Sequence, residues 1–267
     1  MLDVEENWVS YLIRGALPES VAVNIGFDDV DGALGVRRVL MLVLPYEAAE
    51  AGFPSTDQID AMETVVQALV PLRDAMGLQE MGWRTGAGRR ALCWLVHEGD
   101  GQGLAQEVTQ AAAQLWERAQ CTLLPDAADV VYRDVLAPDA AAWRMIHDGS
   151  VLRKLAEHGD IAEEPRKIDH WLVFQTDAQA EACARALRTQ GYANFATFAG
   201  KEGTDLRCSH FGPATLWEIV DRTTALEAQA EACGGSYDGW ESNLVREAGI
   251  GAELARKDGW DPDAREH

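Results

Sequence analysis

Two long stretches of this chain alternate apolar and polar positions in the same order: strand, helix, two strands, helix, short closing strand. In the first, Val39 to Pro45 is a nearly unbroken apolar run. Ser55, followed three residues later by Gln58, spells a capping box, and Ile59, Met62, Val65, Val66, Leu69 and Leu72 then recur at helical spacing. Pro71 is expected to kink the last turn of that helix or to end it, because it lacks the N–H that the turn needs. Leu78 to Thr85 and Arg89 to His97 read as strands around Gly86-Ala87-Gly88, Leu104 to Arg118 as an amphipathic helix and Cys121 to Pro125 as a short last strand. Ahead of them, Trp8 to Ile13 and Val21 to Phe27 are expected to add a hairpin to the sheet.

The second stretch repeats the order. Ile168 to Gln175 is an apolar and aromatic strand, Thr176 with Gln179 caps a helix, and Gly191 stops it. Tyr192 to Ala199 and Leu206 to Phe211 follow as strands joined by a glycine-bearing turn over 200–204. After Pro213, the residues Leu216, Ile219, Val220, Thr223, Leu226 and Ala230 keep one helical face until Gly234-Gly235. Between the stretches, Pro138 to His158 reads as a connecting helix with Trp143, Ile146, Val151, Leu152 and Leu155 on its apolar side. Gly149 inside it costs roughly 1 kcal/mol relative to alanine, so a break near Asp148-Gly149 is expected. The fold class is therefore α+β, with two ferredoxin-like (βαββαβ) domains, the first carrying an added N-terminal β-hairpin, joined by a helical connector. The boundaries fall at 1–137, 138–160 for the connector, 161–245, and 246–267 for a polar tail with one helical turn at Ala252 to Arg256.

The run Pro165-Arg166-Lys167-Ile168-Asp169-His170-Trp171, the helix of small apolar residues behind it and the closing Gly234-Gly235-Ser236-Tyr237-Asp238-Gly239-Trp240-Glu241-Ser242 resemble the RraB family, regulators of ribonuclease E activity, over roughly residues 150–245. Residues from Glu6-Asn7-Trp8-Val9-Ser10-Tyr11 to about Arg133 resemble a family known only as a domain of unknown function, often fused in front of RraB-like domains. The resemblance implies a non-enzymatic protein that binds ribonuclease E, at its non-catalytic region, and inhibits RNA cleavage by altering its assembly. It singles out Asp169, His170, Asp238, Trp240 and Glu241 as partner-binding candidates. Each has a plainer role open to it. Trp171 and Trp240 suit a core or a sheet face. Asp238-Gly239 suits a bulge that places Trp240 and Glu241. Asp169 and His170 could pair with the last strand, although the expected strand order keeps the first and last strands apart.

Charge narrows the partner. The chain has 267 residues and a net charge of −21, with 23 basic against 44 acidic side chains, and both halves are acidic. Such a surface repels nucleic acid phosphates and attracts a basic protein segment. Direct RNA or DNA binding is not expected, and no window is apolar for long enough to span a membrane. The acidic start lacks the pattern of a secretion signal, so a cytoplasmic location is expected. Cys93, Cys121, Cys183, Cys208 and Cys233 are widely spaced and read as small core residues without a metal or redox role.

A search for chemistry returns no catalytic constellation, no metal site and no cofactor motif. The six histidines form no HExxH. The turn Gly99-Asp100-Gly101-Gln102-Gly103 lacks the spacing and the lysine of a P-loop. The turn Asp28-Asp29-Val30-Asp31-Gly32 lacks the ligand alternation of a calcium loop. Other readings stay open: an immunity- or antitoxin-like binder of another basic protein, and a small-molecule enzyme or sensor with a pocket between the two sheets. Pairing with a second copy of the chain is also open.

Overall fold

The computed structural model describes residues 2, 4–30, 34, 35, 37–49, 52–97, 101–201 and 203–260. The Asp31-Gly32 end of the aspartate-rich turn, the Gly99-Asp100 start of the glycine-rich turn and residues 261–267 of the tail lie outside them. The chain is α+β and divides into two compact units, Met1–Ala142 and Trp143–His267.

In the first unit the strands are β1 (Trp8–Ile13), β2 (Glu19–Asn24), β3 (Arg38–Pro45), β4 (Gln79–Gly86), β5 (Arg89–Val96) and β6 (Gln120–Leu124), in the sheet order β1-β2-β4-β5-β3-β6. The hairpin β1–β2 forms as expected, with Trp8 opposite Asn24 and Ile13 opposite Glu19. Helices α1 (Thr56–Ala75) and α2 (Gly101–Ala113) cover one face, where Leu40, Leu42, Leu44, Met62, Leu69, Leu92 and Trp94 make the core. Both bonds of the Ser55–Gln58 capping box are present. Of the two outcomes expected at Pro71, a kink in the last turn or a stop, the stop does not occur: α1 continues one turn beyond it to Ala75. Pro71 and Gln67 lie on the exposed side of the helix, so the Gln67 carbonyl that loses its helical donor is open to water. Helix α2 is shorter at its C-terminal end than its periodicity suggests, because the chain turns at Leu115 and Trp116 and the Trp116 indole donates to the Pro45 carbonyl at 2.8 Å.

The other face of this sheet is also covered, by a 3-10 turn at Ile25–Asp29 and by α3 (Ala128–Val130) running into a π-helical turn at Val131–Leu136. Phe27 and Tyr132 meet there with ring centroids 5.7 Å apart, and the Tyr11 hydroxyl donates to the Leu136 carbonyl at 3.0 Å.

The second unit holds β7 (Arg166–Phe174), β8 (Ala193–Ala199), β9 (Thr204–Gly212) and β10 (Ser236–Ser242) in the order β10-β7-β9-β8, all antiparallel. Its helices are α4 (Ala140–Glu157, mostly in this unit), α5 (Asp177–Thr189), α6 (Leu216–Ala232) and α7 (Gly251–Lys257). The Thr176–Gln179 capping box opens α5, and Gly191, at φ 91, follows its end. Both strand orders are consistent with the split βαβ plan. One expectation about that plan is corrected: the first and last strands of each βαββαβ repeat are neighbours, β7 beside β10 and β3 beside β6.

Two further expectations are overturned. Helix α4 runs unbroken through Gly149. Asp148 is clamped there, accepting from Thr223 Oγ1 at 2.7 Å and from the Trp240 indole at 2.9 Å, which holds the helix together where glycine weakens it. The segment 246–260 is no free tail either. Helix α7 lies against β7, Trp260 stacks on Phe211 at 5.9 Å, and Ala255 and Trp260 are buried. A Cβ at position 251 would collide with the Pro165 carbonyl, so glycine is what lets α7 start this close to the strand.

Candidate interaction surface

Strict alternation along β7 sends Arg166, Ile168, His170, Leu172 and Phe174 inward and leaves Lys167, Asp169, Trp171 and Val173 on the opposite face. The five candidate residues are thereby separated. His170 is fully buried under the helices and cannot touch a partner, and the half-buried Trp240 spends its N–H on Asp148. Asp169 and Glu241, paired across β7 and β10, stand on the outer face. Asp238 is exposed at the bulge, which the register shift between Tyr237 and Gly239 confirms.

The inner face carries a polar chain through an otherwise apolar core. The Tyr237 hydroxyl lies 2.9 Å from His170 Nδ1, and His170 Nε2 lies 2.8 Å from His210 Nδ1. The two imidazoles are stacked with centroids 5.0 Å apart. His210 Nε2 is buried without a hydrogen-bond partner. Burial holds both histidines neutral, driving His170 well below its ordinary range and His210 down to about 3; the positive charge of Arg222 adds to each shift, and His210 adds to that of His170. Burial likewise raises the Asp148 carboxyl, against its bonds to Thr223 and Trp240, and pushes the Tyr237 phenol up.

Arg166 is the other buried charge. Its guanidinium pairs with Asp160, both side chains being 2% exposed, and also donates to the Ile161 and Glu164 carbonyls. Asp160 accepts in turn from the Val245 backbone at 2.8 Å, so this pair ties the entry of β7 to the chain that leaves β10.

The outer face is open over part of its area. Trp171 and Phe198 stand 5.7 Å apart, with the Arg207 guanidinium 5.9 and 5.7 Å from their rings. Phe198 is 43% exposed. Arg207 Nε is buried without a hydrogen-bond partner, and Asp205 lies on the same face. The Trp171 indole donates to Glu241 of the neighbouring strand β10 at 3.2 Å. At the other end of the face, Asp169 bonds Ser209 and pairs with Lys167 at 2.9 Å, and Lys167 donates to the Asp258 carbonyl. Asp169 is thus tied into the contact that seats α7. The aromatic pair was legible only as strand residues; what exposes it is the absence of a helix over that part of the face.

In the first unit, a groove of 680 Å³ opens beside the hairpin, with Trp8, Trp83, Arg73 and Glu80 among its walls. The two indoles are 5.3 Å apart and Arg73 pairs with Glu80 at 3.2 Å. Among the described residues, no three His, Cys, Asp or Glu side chains are grouped to hold a metal ion, and no helix is long and apolar enough to cross a membrane.

The second unit is an α+β domain with one sheet face packed by helices and the other partly presented to solvent. Residues 145–242 match the family described as Regulator of ribonuclease activity B, which supports the resemblance carried by the two end motifs. No curated protein matches the chain. Among solved structures, an unknown protein from Galdieria sulphuraria aligns at 14% identity over 78% of this chain and 99% of its own, with a TM-score of 0.21. An aminoacylhistidine dipeptidase from Vibrio alginolyticus aligns at 9% identity over 92% of this chain and 46% of its own, with a TM-score of 0.23. At those scores neither bears on fold or function.

Proposed function

We propose that this protein is a non-enzymatic, cytoplasmic regulator that binds ribonuclease E through the open face of its second unit and restrains RNA cleavage by altering the enzyme's assembly. The observation that carries this reading is the family match over residues 145–242, the span that builds that face. Trp171 and Phe198 supply the aromatic anchor that protein interfaces concentrate their energy on. Asp205, Glu241 and Asp238 surround it with acid, and the net charge of −21 favours a basic, flexible segment of the ribonuclease over RNA itself. In this reading His170 and Trp240 shape the domain and make no contact. The first unit, which by its sequence resembles a domain of unknown function, adds a second surface beside the β1–β2 hairpin.

The test is capture from a nuclease-treated lysate of the native host, followed by titration against purified ribonuclease E. Wild-type protein is expected to retain the enzyme, with affinity that falls as salt rises. Trp171→Ala is expected to weaken binding by about 2 kcal/mol, roughly thirtyfold, with an unchanged fold. Absence of ribonuclease E from the capture, or full affinity in Trp171→Ala, would remove this face from the explanation.

A further inference from the structure

Strand β8 is an edge strand of the second sheet, and Ala193-Asn194-Phe195-Ala196-Thr197-Phe198-Ala199 contains no charged residue. Edge strands are normally blunted by charge, proline or a bulge, because their free N–H and C=O groups template further pairing. The opposite edge, β10, follows that rule with Asp238, Glu241 and a bulge. In β8 the protection is confined to the first half. There the register shifts between Ala193 and Ala196, Asn194 takes a φ of 53°, and its amide donates to the Gly259 carbonyl at 3.0 Å. From Ala196 to Ala199 the pairing with β9 is regular, and Thr197, Phe198 and Ala199 are exposed.

Helix α5 runs beside this edge, and two grooves of 350 and 420 Å³ lie between them, both lined by Glu181 and Thr197. Glu181 therefore marks the helix position abreast of Thr197. Asp177 and Arg185 lie four residues to either side of it, about one turn or ~6 Å each way.

We propose that β8 pairs antiparallel with β8 of a second copy of this chain, about a twofold axis at Thr197, to give a continuous eight-stranded sheet in the dimer. A twofold there sets Ala196 opposite the partner copy's Phe198, small against large, on both sides of the axis. It also brings Asp177 of each copy against Arg185 of the other, two equivalent pairs of opposite charge on the neighbouring helices. Glu181 meets its own counterpart near the axis, where both carboxylates are exposed and Arg185 of the same helix lies 3.9 Å from each. The large net charge does not forbid the contact, since charges beyond about 8 Å are screened at physiological salt and the strand itself carries none. This inference does not rest on the ribonuclease reading, although Phe198 belongs to both surfaces.

Sedimentation velocity over a concentration series tests it. Wild-type protein is expected to dimerise, and Thr197→Lys, which places two ammonium groups across the axis, is expected to weaken the dimer at least about tenfold. Arg185→Asp sits on an exposed helix face, where losing the Glu181 pair costs folding little, and it is expected to act in the same direction. Thr197→Cys is expected to form a disulfide-linked dimer with oxidised glutathione under conditions that leave wild-type protein uncrosslinked. A wild-type monomer at all concentrations overturns the proposal. So does a dimer that survives both charged variants, or a Thr197→Cys dimer that forms no cross-link.

Discussion

The buried histidines decide how the second unit responds to acid. Both have folded-state pKa values below the unfolded value of about 6.5, so their protonation favours the unfolded chain. Their contribution to stability is complete above that value and is lost as pH falls from it towards about 3, the folded value for His210. Asp148 acts in the opposite sense: its folded pKa is raised, so its contribution is present at low pH and declines as pH rises. Two shifted histidines outweigh one shifted carboxyl, and His210 alone is expected to remove roughly 3 kcal/mol by about pH 4.5. Urea unfolding followed across pH checks this, and a His170→Leu/His210→Leu double variant should show a flatter acid limb. Equal slopes in both proteins would place the acid sensitivity elsewhere. Arg166 is a second residue-scale case. Truncation to alanine leaves Asp160 charged and buried with its partner gone, and the expected loss is about 3–5 kcal/mol in thermal or denaturant unfolding. A loss within the range of surface substitutions would show that the pair is not buried in solution.

Among the elements, Gly149 gives the sharpest test. Its backbone is helical, and an added Cβ would meet only Leu216 Cδ1 at 4.0 Å, an ordinary contact. Gly149→Ala is therefore expected to stabilise the protein by about 0.5–1 kcal/mol, measured by urea unfolding. Destabilisation would mean that α4 is bent at that point. The expected break here shows where the sequence ceases to be informative. Helix propensity is local, whereas the Asp148 clamp comes from Thr223 and Trp240, distant in the chain. Both capping boxes were legible because their partners lie three residues apart, and so were the strands, whose two-residue alternation is local too. The seating of α7 was not legible, because it depends on Phe211 and Lys167 rather than on its own polar sequence. The same limit applies to the site. Asp238-Gly239 announced a bulge, but which face His170 took, and how Trp171 and Phe198 came together, follow from register across three strands.

At the scale of the whole molecule, helix α4 decides what counts as the second unit. A division at residue 161 assigns α4 to a connector, yet Leu152 packs on Ile168, Ala214 and Ile219, and Asp148 satisfies the Trp240 indole inside the same core. The Arg144 guanidinium also pairs with Glu227 on α6 and lies 5.3 Å from the Tyr237 ring. Removing α4 exposes this apolar surface and leaves the Thr223 hydroxyl and the Trp240 indole without the carboxylate they share. Losses of this kind amount to about 3 kcal/mol or more, a large part of the stability of a domain this size. A fragment of residues 138–260 is therefore expected to unfold cooperatively with the near-ultraviolet signature of packed tryptophans. A fragment of 158–260, which lacks α4 but keeps Asp160 with its Arg166 pair, every strand of the sheet and α5, α6 and α7, is expected to lose both the signature and the cooperativity. Circular dichroism and urea unfolding of the two fragments separate the cases. Equal behaviour would mean that the sheet with α5 and α6 is sufficient and that α4 is a connector after all.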